Sequence, residues 1–384
     1  MRHRLCDAER DHRAGRQPEG ADPGRGHLQG HVRRPGGAPA GVGAGRKRIM
    51  KGGIGLNILL ISRGNGFGHA RRDMLLARAL QRAGHEVTMA SYASALALLK
   101  NFYDGRLIDL GLPAFGNEAE RVRKLLDLFR DVAPELVVSD EELLALPIAV
   151  SQGIPVCFVT NWLDDNREML VYLRMADSIA VVDMEDHWLF PIPDAIREKI
   201  RFVGPVLDIS PIERNPSDQI VVTAGSPTIA DARFFAKAIQ ALKPDRRYRK
   251  LIYGGTLTRS LERLKDDSVR FVLDQTTFLN EAASSRLVIC RGGHTTLWEL
   301  AALGIPGIAI PRPADVNPYN AVYARQMAAR NDIEWLDESE LTEETLALKV
   351  ESALGRPFAS YRHTGESLER LLEAVLDLSP SIAQ

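Results

Sequence analysis

The 384-residue chain has no run of 18 apolar residues, the shortest stretch expected to span a membrane as a helix. This excludes a spanning helix but leaves contact with a membrane surface open. Cysteine is scarce, and Cys6, Cys157 and Cys290 are too scattered for a disulfide framework or a zinc site. The start of the chain also lacks the apolar core of a signal peptide. We therefore expect a cytoplasmic protein, with peripheral contact at the inner face of the membrane as an open alternative.

Residues 1–50 contain no aromatic residue and little Ile, Val or Leu, but they hold ten of the 31 glycines and four of the nine histidines. Residues 1–50 hold 11 Lys/Arg and 5 Asp/Glu, which leaves 38 basic and 45 acidic residues in residues 51–384. The near-neutral net charge of the whole chain therefore combines a basic tail (residues 1–50) with an acidic body (residues 51–384). Such a segment cannot bury enough apolar surface to fold. We expect it to be disordered, or to lie upstream of a true start at Met50. A tail that binds nucleic acid or acidic lipid would need aromatic interleaving or an amphipathic period, and it has neither.

The body begins with a strand, a glycine loop, a helix and a second strand. Asn57–Ser62 is an apolar run, and Arg63-Gly64-Asn65-Gly66-Phe67-Gly68-His69 follows it. This βαβ unit favours a parallel, doubly wound sheet. The glycines have the wrong spacing for GxGxxG, and Ala90-Ser91-Tyr92 ends the second strand without the acid that binds a ribose. The sequence therefore argues against a nicotinamide cofactor.

Apolar runs and helical patterns alternate through the rest of the chain, and a proline-rich connection interrupts them. A second series of the same kind starts at Gln219, so we predict an α/β fold of two Rossmann-like, doubly wound parallel-sheet domains facing a cleft. The predicted segments are a tail (1–50), a first domain (51–206), a linker (207–218), a second domain (219–358) and a terminal amphipathic helix (359–384). That helix needs a surface to cover, and the first domain is the candidate.

The stretch Val288–Ala302 predicts a strand, a glycine turn and a helix start. Gly292 and Gly293 let the backbone approach a ligand, and the free N–H groups of the first helical turn favour an anion. Glu299, six residues after Gly293, can accept hydrogen bonds from a sugar diol. The alternative is an ordinary βα turn with a surface glutamate.

Two further polar stretches follow strands, at the sheet edge where α/β proteins bind ligands. In the loop after Pro311, Asp315, Asn317 and Asn320 can bind sugar hydroxyls, although Asn320 can equally cap the next helix. The run Asp140-Glu141-Glu142 ends another strand. Asp140 can orient a hydroxyl or take its proton, whereas we interpret Glu141 and Glu142 as acids at a helix start.

These motifs resemble the GT-B glycosyltransferases of family 28, the group of the transferase that adds N-acetylglucosamine to the lipid-linked peptidoglycan precursor. The resemblance runs from about Asn57 to the C-terminus and is strongest over Leu287–Ala321. It implies an N-terminal acceptor domain and a C-terminal donor domain. It also implies a set of residues for the nucleotide and its diphosphate: Gly66, Gly68, Gly225, Ser226, Arg291, Gly292, Gly293, His294, Thr295, Thr296 and Glu299.

The sequence also departs from the family. The paired glutamines that touch the donor sugar are replaced by Val316-Asn317, and two glycines of the donor-domain turn are replaced by Ser226 and Pro227. The resemblance assigns donor-sugar contacts to the loop with Asp315, Asn317 and Asn320. The resemblance implies uridine as the donor base, and the sequence does not identify the acceptor.

The predicted function is transfer of a hexosyl group from a UDP-sugar, with UDP-GlcNAc as the family's example, to a hydroxyl acceptor by metal-independent displacement. The nucleotide sugar is a co-substrate, and no cofactor, metal or nucleic acid is expected. The acceptor is a small molecule, a glycan or a lipid. His69 is the candidate base, because imidazole accepts protons near neutral pH, and Asp140 is the reserve. A nucleotide-sugar 2-epimerase and a non-catalytic nucleotide-sugar binding protein remain alternatives.

Overall fold

The computed structural model describes residues 55–64, 66–114, 116–164, 166–209, 212–313, 317–330, 333–355 and 365–379. The predicted tail, residues 1–50, lies outside them.

The first half of the body is a seven-stranded parallel sheet in the order β3-β2-β1-β4-β5-β6-β7. Its strands are β1 Asn57–Ser62, β2 Glu86–Ser91, β3 Arg106–Asp109, β4 Leu136–Asp140, β5 Val156–Thr160, β6 Ser178–Val181 and β7 Ile200–Phe202. The helices that connect them are α1 Phe67–Arg82, α2 Ala93–Phe102, α3 Glu118–Val132, α4 Ala145–Ser151 and α5 Arg167–Leu173. The central strands are apolar along both faces because helices cover both sides of the sheet.

The second half repeats this architecture with a six-stranded parallel sheet in the order β10-β9-β8-β11-β12-β13. Its strands are β8 Gln219–Thr223, β9 Arg249–Tyr253, β10 Val269–Phe271, β11 Leu287–Cys290, β12 Gly307–Ala309 and β13 Glu334–Trp335. Its helices are α6 Ala232–Leu242, α7 Thr258–Leu261, α8 Phe278–Ala283, α9 His294–Leu303, α10 Pro318–Ala329 and α11 Glu343–Gly355. The predicted pair of parallel α/β sheets is confirmed.

The strand order reverses at corresponding places in the two sheets, between β1 and β4 and between β8 and β11. At such a reversal the two flanking connections leave on opposite faces and open a crevice at the carboxyl ends of the strands. The loops that enter α1 and α9 both start there, directly after β1 and β11. Topology therefore places both glycine motifs at a ligand-binding position.

The last described helix, α12 (Glu366–Leu376), packs against the first sheet and not the second. Leu371 and Val375 belong to the core formed by β1, α1 and β6. Arg370 donates through Nε to the carbonyl of Val203 at 3.0 Å, and Arg201 forms an ion pair with Asp377. Over the described residues, no helix is both long and apolar enough to cross a bilayer.

Candidate active site

The first turns of α1 and α9 are in contact across the two halves. Gly68, in the first turn of α1, leaves no room for a side chain, because a Cβ there would collide with Thr295 Oγ1 and lie 3.2 Å from Thr295 Cβ. Gly66 caps α1 with a φ of 86°, in the left-handed region that favours glycine. Gly293 caps α9, and a Cβ there would meet no atom within 4 Å, so the α9 terminus is open to a ligand.

A buried hydroxyl without a partner points into the same place. Ser226 Oγ is 3.9 Å from the Cβ position of Gly66, and it has no hydrogen-bond partner among the described residues. It follows Gly225, whose φ of 69° turns the chain sharply after β8. Two helix N-termini and a free hydroxyl converge here, and each favours an anion.

His69 stands directly after Gly68 and contacts Asp140 at the carboxyl end of β4. Its Nδ1 lies 2.8 Å from Asp140 Oδ1. Arg72, one turn further along α1, donates through Nε to Asp140 Oδ2 at 2.6 Å, and its Nη2 lies 2.8 Å from the same imidazole nitrogen. Burial alone raises the pKa of Asp140, but the Arg72 guanidinium and His69 outweigh it and hold that pKa well below its usual range. Asp140 is therefore ionised, and both Arg72 Nη2 and His69 Nδ1 lie within hydrogen-bonding distance of its Oδ1. We assign Nδ1–H of His69 as a donor to Asp140; the contact between Arg72 Nη2 and Nδ1 is then not a hydrogen bond, and Nε2 is the acceptor nitrogen of the imidazole.

Glu141 and Glu142 are not the helix-start acids that we predicted. The helix α4 begins only at Ala145, and Glu141 has a left-handed φ of 55°. Both carboxylates are buried and paired, Glu141 with Arg63 at 2.8 Å and Glu142 with Arg121 at 2.8 Å. Glu141 Oε2 also lies 3.7 Å from His69 Nε2, so it adds negative charge at the base.

Ligand atoms of His69, Asp140 and Glu141 lie within 4.8 Å of one another, close enough to suit a metal ion. The guanidiniums of Arg63 and Arg72, however, already pair with the two carboxylates. Because these cations offset the charge that a divalent metal would need, the cluster fits proton transfer better than metal binding.

Glu299 is buried, with 2% of its surface exposed, and faces the first half of the molecule. Arg71 of α1 donates through Nη1 to its Oε1 at 3.2 Å. Burial raises the pKa of Glu299, and the nearby Arg71 guanidinium only partly offsets this effect. Thr295 and Thr296 occupy the first turn of the same helix.

Two residues of the glycine motif have side chains engaged away from the α9 terminus. Arg291 is buried and pairs with Asp231 at 3.1 Å and with Glu338 at 2.7 Å. His294 packs against the ring of Tyr323, and its Nε2 lies 3.3 Å from Asp183 Oδ2. These placements do not support the predicted contacts of either side chain with the nucleotide or its diphosphate.

The polar loop before α10 has local structural roles. Asn317 caps α10 by accepting from the backbone N–H groups of Tyr319 and Asn320 at 3.1 and 3.2 Å. Asn320 donates through Nδ2 to the carbonyl of Arg291 at 3.0 Å, tying the loop to the glycine turn. The cap is thus Asn317 and not Asn320, and Asp315 lies outside the described residues. Donor-sugar contacts from this loop stay a prediction.

Sequence reasoning missed the arginines Arg71 and Arg72. The available signal was the spacing, because His69 and Arg72 are three residues apart and share one face of a helix. That spacing could indicate Asp140 as a common partner, but not Glu299, which lies in the other half of the chain.

Comparison with known proteins identifies similar sequences and structures. The family model described as Glycosyltransferase family 28 C-terminal domain matches residues 219–374. An uncharacterized glycosyltransferase of Methanosarcina acetivorans is 26% identical over 305 residues, which is 67% of this chain and 78% of the relative. Residues 219–374 therefore match the family 28 C-terminal domain, and the chain as a whole is similar to glycosyltransferases.

Other similarities are more local or concern the fold alone. The UDP-N-acetylglucosamine–N-acetylmuramyl-(pentapeptide) pyrophosphoryl-undecaprenol N-acetylglucosamine transferase of Alkalilimnicola ehrlichii is 32% identical over 105 residues, 26% of this chain and 29% of that enzyme. The crystal structure of Acinetobacter baumannii MurG matches with a TM-score of 0.59 at 16% identity, over 83% of this chain and 99% of that one. A structure described as a putative UDP-N-acetylglucosamine 2-epimerase from Listeria monocytogenes matches with a TM-score of 0.63 at 13% identity, over 83% and 95%. This glycosyltransferase therefore has the GT-B fold.

Proposed function

We propose that this glycosyltransferase moves a hexosyl group from a UDP-sugar, such as UDP-GlcNAc, to a hydroxyl acceptor. The observation that carries the proposal is the adjacency of Gly68 and His69. Gly68 packs against Thr295 where the two helix N-termini converge, and His69, the next residue, is held by Asp140. An anion site and a general base are therefore side by side, as displacement of a nucleoside diphosphate requires.

In the proposed reaction, the bond between the anomeric carbon and the phosphate oxygen breaks while the acceptor oxygen bonds to that carbon. The N-termini of α1 and α9 and the Ser226 hydroxyl stabilise the negative charge that grows on the leaving diphosphate. His69 Nε2 takes the acceptor proton, and Asp140 stabilises the imidazolium that forms. Because fixed dipoles meet the leaving group, the step needs no metal ion.

The choice of UDP-GlcNAc rests on the named activity of the peptidoglycan-pathway relatives, which align over a minor part of the chain. The acceptor is a small molecule, a glycan or a lipid. We also propose that the protein works in the cytoplasm, with peripheral membrane contact if the acceptor is a lipid. A nucleotide-sugar 2-epimerase is a second candidate, because Glu141 places an additional carboxylate 3.7 Å from His69 Nε2.

The test begins with thermal shifts across nucleoside diphosphates and nucleotide sugars, since a ligand that binds the folded state raises its unfolding temperature. The stabilising sugar nucleotide is then incubated with the wild type, alone and with a library of hydroxyl acceptors, in the presence of EDTA. We expect a UDP-sugar to stabilise the protein and a glycosylated acceptor to form despite the chelator.

The His69→Ala variant separates binding from chemistry. We expect it to bind the donor as tightly as the wild type and to lose about 100-fold or more in turnover of the acceptor. Conversion of the nucleotide sugar alone into its C2 epimer would instead establish the second candidate. Binding without any turnover across the acceptor library, or full turnover by His69→Ala, would contradict the proposed mechanism.

A further inference from the structure

The ion pair between Arg71 and Glu299 joins the two halves of the molecule at the predicted ribose position. Arg71 Nη1 lies 3.2 Å from Glu299 Oε1, and the two side chains are 17% and 3% exposed. Arg71 belongs to α1 and the first sheet, whereas Glu299 belongs to α9 and the second. The carboxylate that the family resemblance assigns to the ribose hydroxyls is therefore paired with a cation from the opposite domain.

The Arg71–Glu299 pair lies about one turn of helix beyond the Gly68–Thr295 contact in both α1 and α9. Gly68 meets Thr295, and three and four residues later Arg71 meets Glu299. One turn of helix advances about 5.4 Å. Long side chains on a helix lean toward its N-terminus, so the Arg71 side chain, which contacts Glu299, extends in the direction of the α1 N-terminus.

A ribose that hydrogen-bonds Glu299 Oε1 competes with that guanidinium for the same oxygen. The ribose of a nucleoside diphosphate is bonded directly to its α-phosphate, so a ribose at Glu299 brings phosphate oxygens to the convergence of α1 and α9. Those oxygens are good partners for arginine, which binds phosphate through charge-assisted hydrogen bonds. The displaced guanidinium thus has a second partner close to the first.

We propose that Arg71 is a donor-binding residue supplied by the acceptor domain, and that on donor binding it exchanges Glu299 for the donor's phosphate. The inference rests on the proposed function, because it takes the ligand to be a nucleoside diphosphate sugar. The exchange also predicts that the site prefers a nucleoside diphosphate to a nucleoside. A nucleoside without phosphate breaks the ion pair and leaves Arg71 without an anion, whereas a nucleoside diphosphate replaces the partner that it displaces.

The experiment measures calorimetric affinities of wild type, Arg71→Gln and Arg82→Gln for uridine and UDP, or for the nucleoside and diphosphate of whichever base stabilises the wild type. Arg82 is the matched control, because it is an exposed arginine at the far end of the same helix. For Arg71→Gln we expect UDP to bind about tenfold or more weakly and uridine to bind a few-fold more tightly. Arg82→Gln should change both affinities less than about twofold.

The opposite signs for the two ligands distinguish this role from simple structural damage, which weakens both together. Equal weakening of uridine and UDP in Arg71→Gln, or UDP affinity equal to that of Arg82→Gln, would overturn the inference while leaving the proposed function intact. If the wild type binds no nucleoside diphosphate, the proposed function and this inference fail together. Circular dichroism of each variant confirms that affinities are compared between folded proteins.

Discussion

At the scale of a single residue, the burial of Glu299 and its predicted role in ligand binding have opposite consequences for the protein. Its burial raises the pKa, which means that the ionised form is less stable in the folded chain than in the unfolded one. The same carboxylate is the one that we predict to bind a ribose. Sites of this kind commonly give up stability for function.

We predict that Glu299→Gln stabilises the protein at neutral pH, by roughly 1 kcal/mol or less, while it weakens nucleotide binding. Because the pKa of Glu299 is raised in the folded state, the ionised carboxylate lowers the free energy of unfolding, and this destabilisation is fully present above the folded-state pKa. The destabilisation disappears as the pH falls from the folded-state pKa of Glu299 to its unfolded-state pKa. The difference between variant and wild type, measured by denaturant unfolding, should therefore shrink from pH 7.5 to pH 4.

Asp140→Asn is the contrasting control. The pKa of the Asp140 carboxyl is lowered, and the buried Arg72 guanidinium forms an ion pair with it. Its removal leaves an uncompensated buried guanidinium and should cost about 3–5 kcal/mol. This loss is largest at neutral pH and narrows on acidification, because the stability that Asp140 supplies is lost as the pH falls through its lowered pKa. A destabilised Glu299→Gln variant, or one with undiminished nucleotide affinity, would refute our account of Glu299.

At the scale of elements, the contact between α1 and α9 sets how closely the two halves approach. We predict that Gly68→Ala destabilises the protein by about 1–3 kcal/mol, because the added methyl group collides with Thr295 Oγ1. Thr295→Ala removes that hydroxyl, so the double variant should recover most of the loss. A double-mutant cycle in urea measures the coupling.

Gly293→Ala is the control for this cycle. A Cβ at Gly293 meets no atom within 4 Å and its φ is −67°, so the substitution should be nearly neutral for stability. Additive losses from Gly68→Ala and Thr295→Ala would show that the two helices do not meet as described.

The elements themselves were largely predictable from local pattern. The apolar run Asn57–Ser62 was predicted at the observed bounds of β1, and the strand predicted at the start of Val288–Ala302 is β11, because an apolar run before a polar turn marks a buried strand. The edge strand β13, Glu334–Trp335, was missed because two residues are too few to show a hydrophobic periodicity.

The site was only partly predictable, because side-chain direction depends on packing. His69 and Asp140 were predicted as alternative bases, and the structure pairs them. No local pattern indicated that Arg291 turns toward Asp231, or that Arg71 reaches Glu299, since both contacts join residues distant in sequence. Roles that depend on a partner in the other half of the molecule required the structure.

At the scale of the whole molecule, the chain returns to its first half after completing its second. Leu371 and Val375 of α12 are buried in the core of the first sheet, and Arg370 donates to the Val203 carbonyl. The stability of the first half of the molecule therefore depends on residues that follow the second half in the sequence. Local sequence signals indicate only an amphipathic helix, whereas the identity of the covered surface is a tertiary property.

We predict that Leu371→Ala costs about 2–5 kcal/mol, because it opens a cavity at a side chain that is 1% exposed. The exposed Glu373 on the same helix provides the control, and Glu373→Ala should stay within about 0.5 kcal/mol of the wild type. Hydrogen exchange should show the location of the loss. Faster exchange in β1 and α1, with β8 and β11 less affected, is expected if α12 completes the first domain. Faster exchange confined to β8 and β11 would place α12 with the second domain and contradict the described packing.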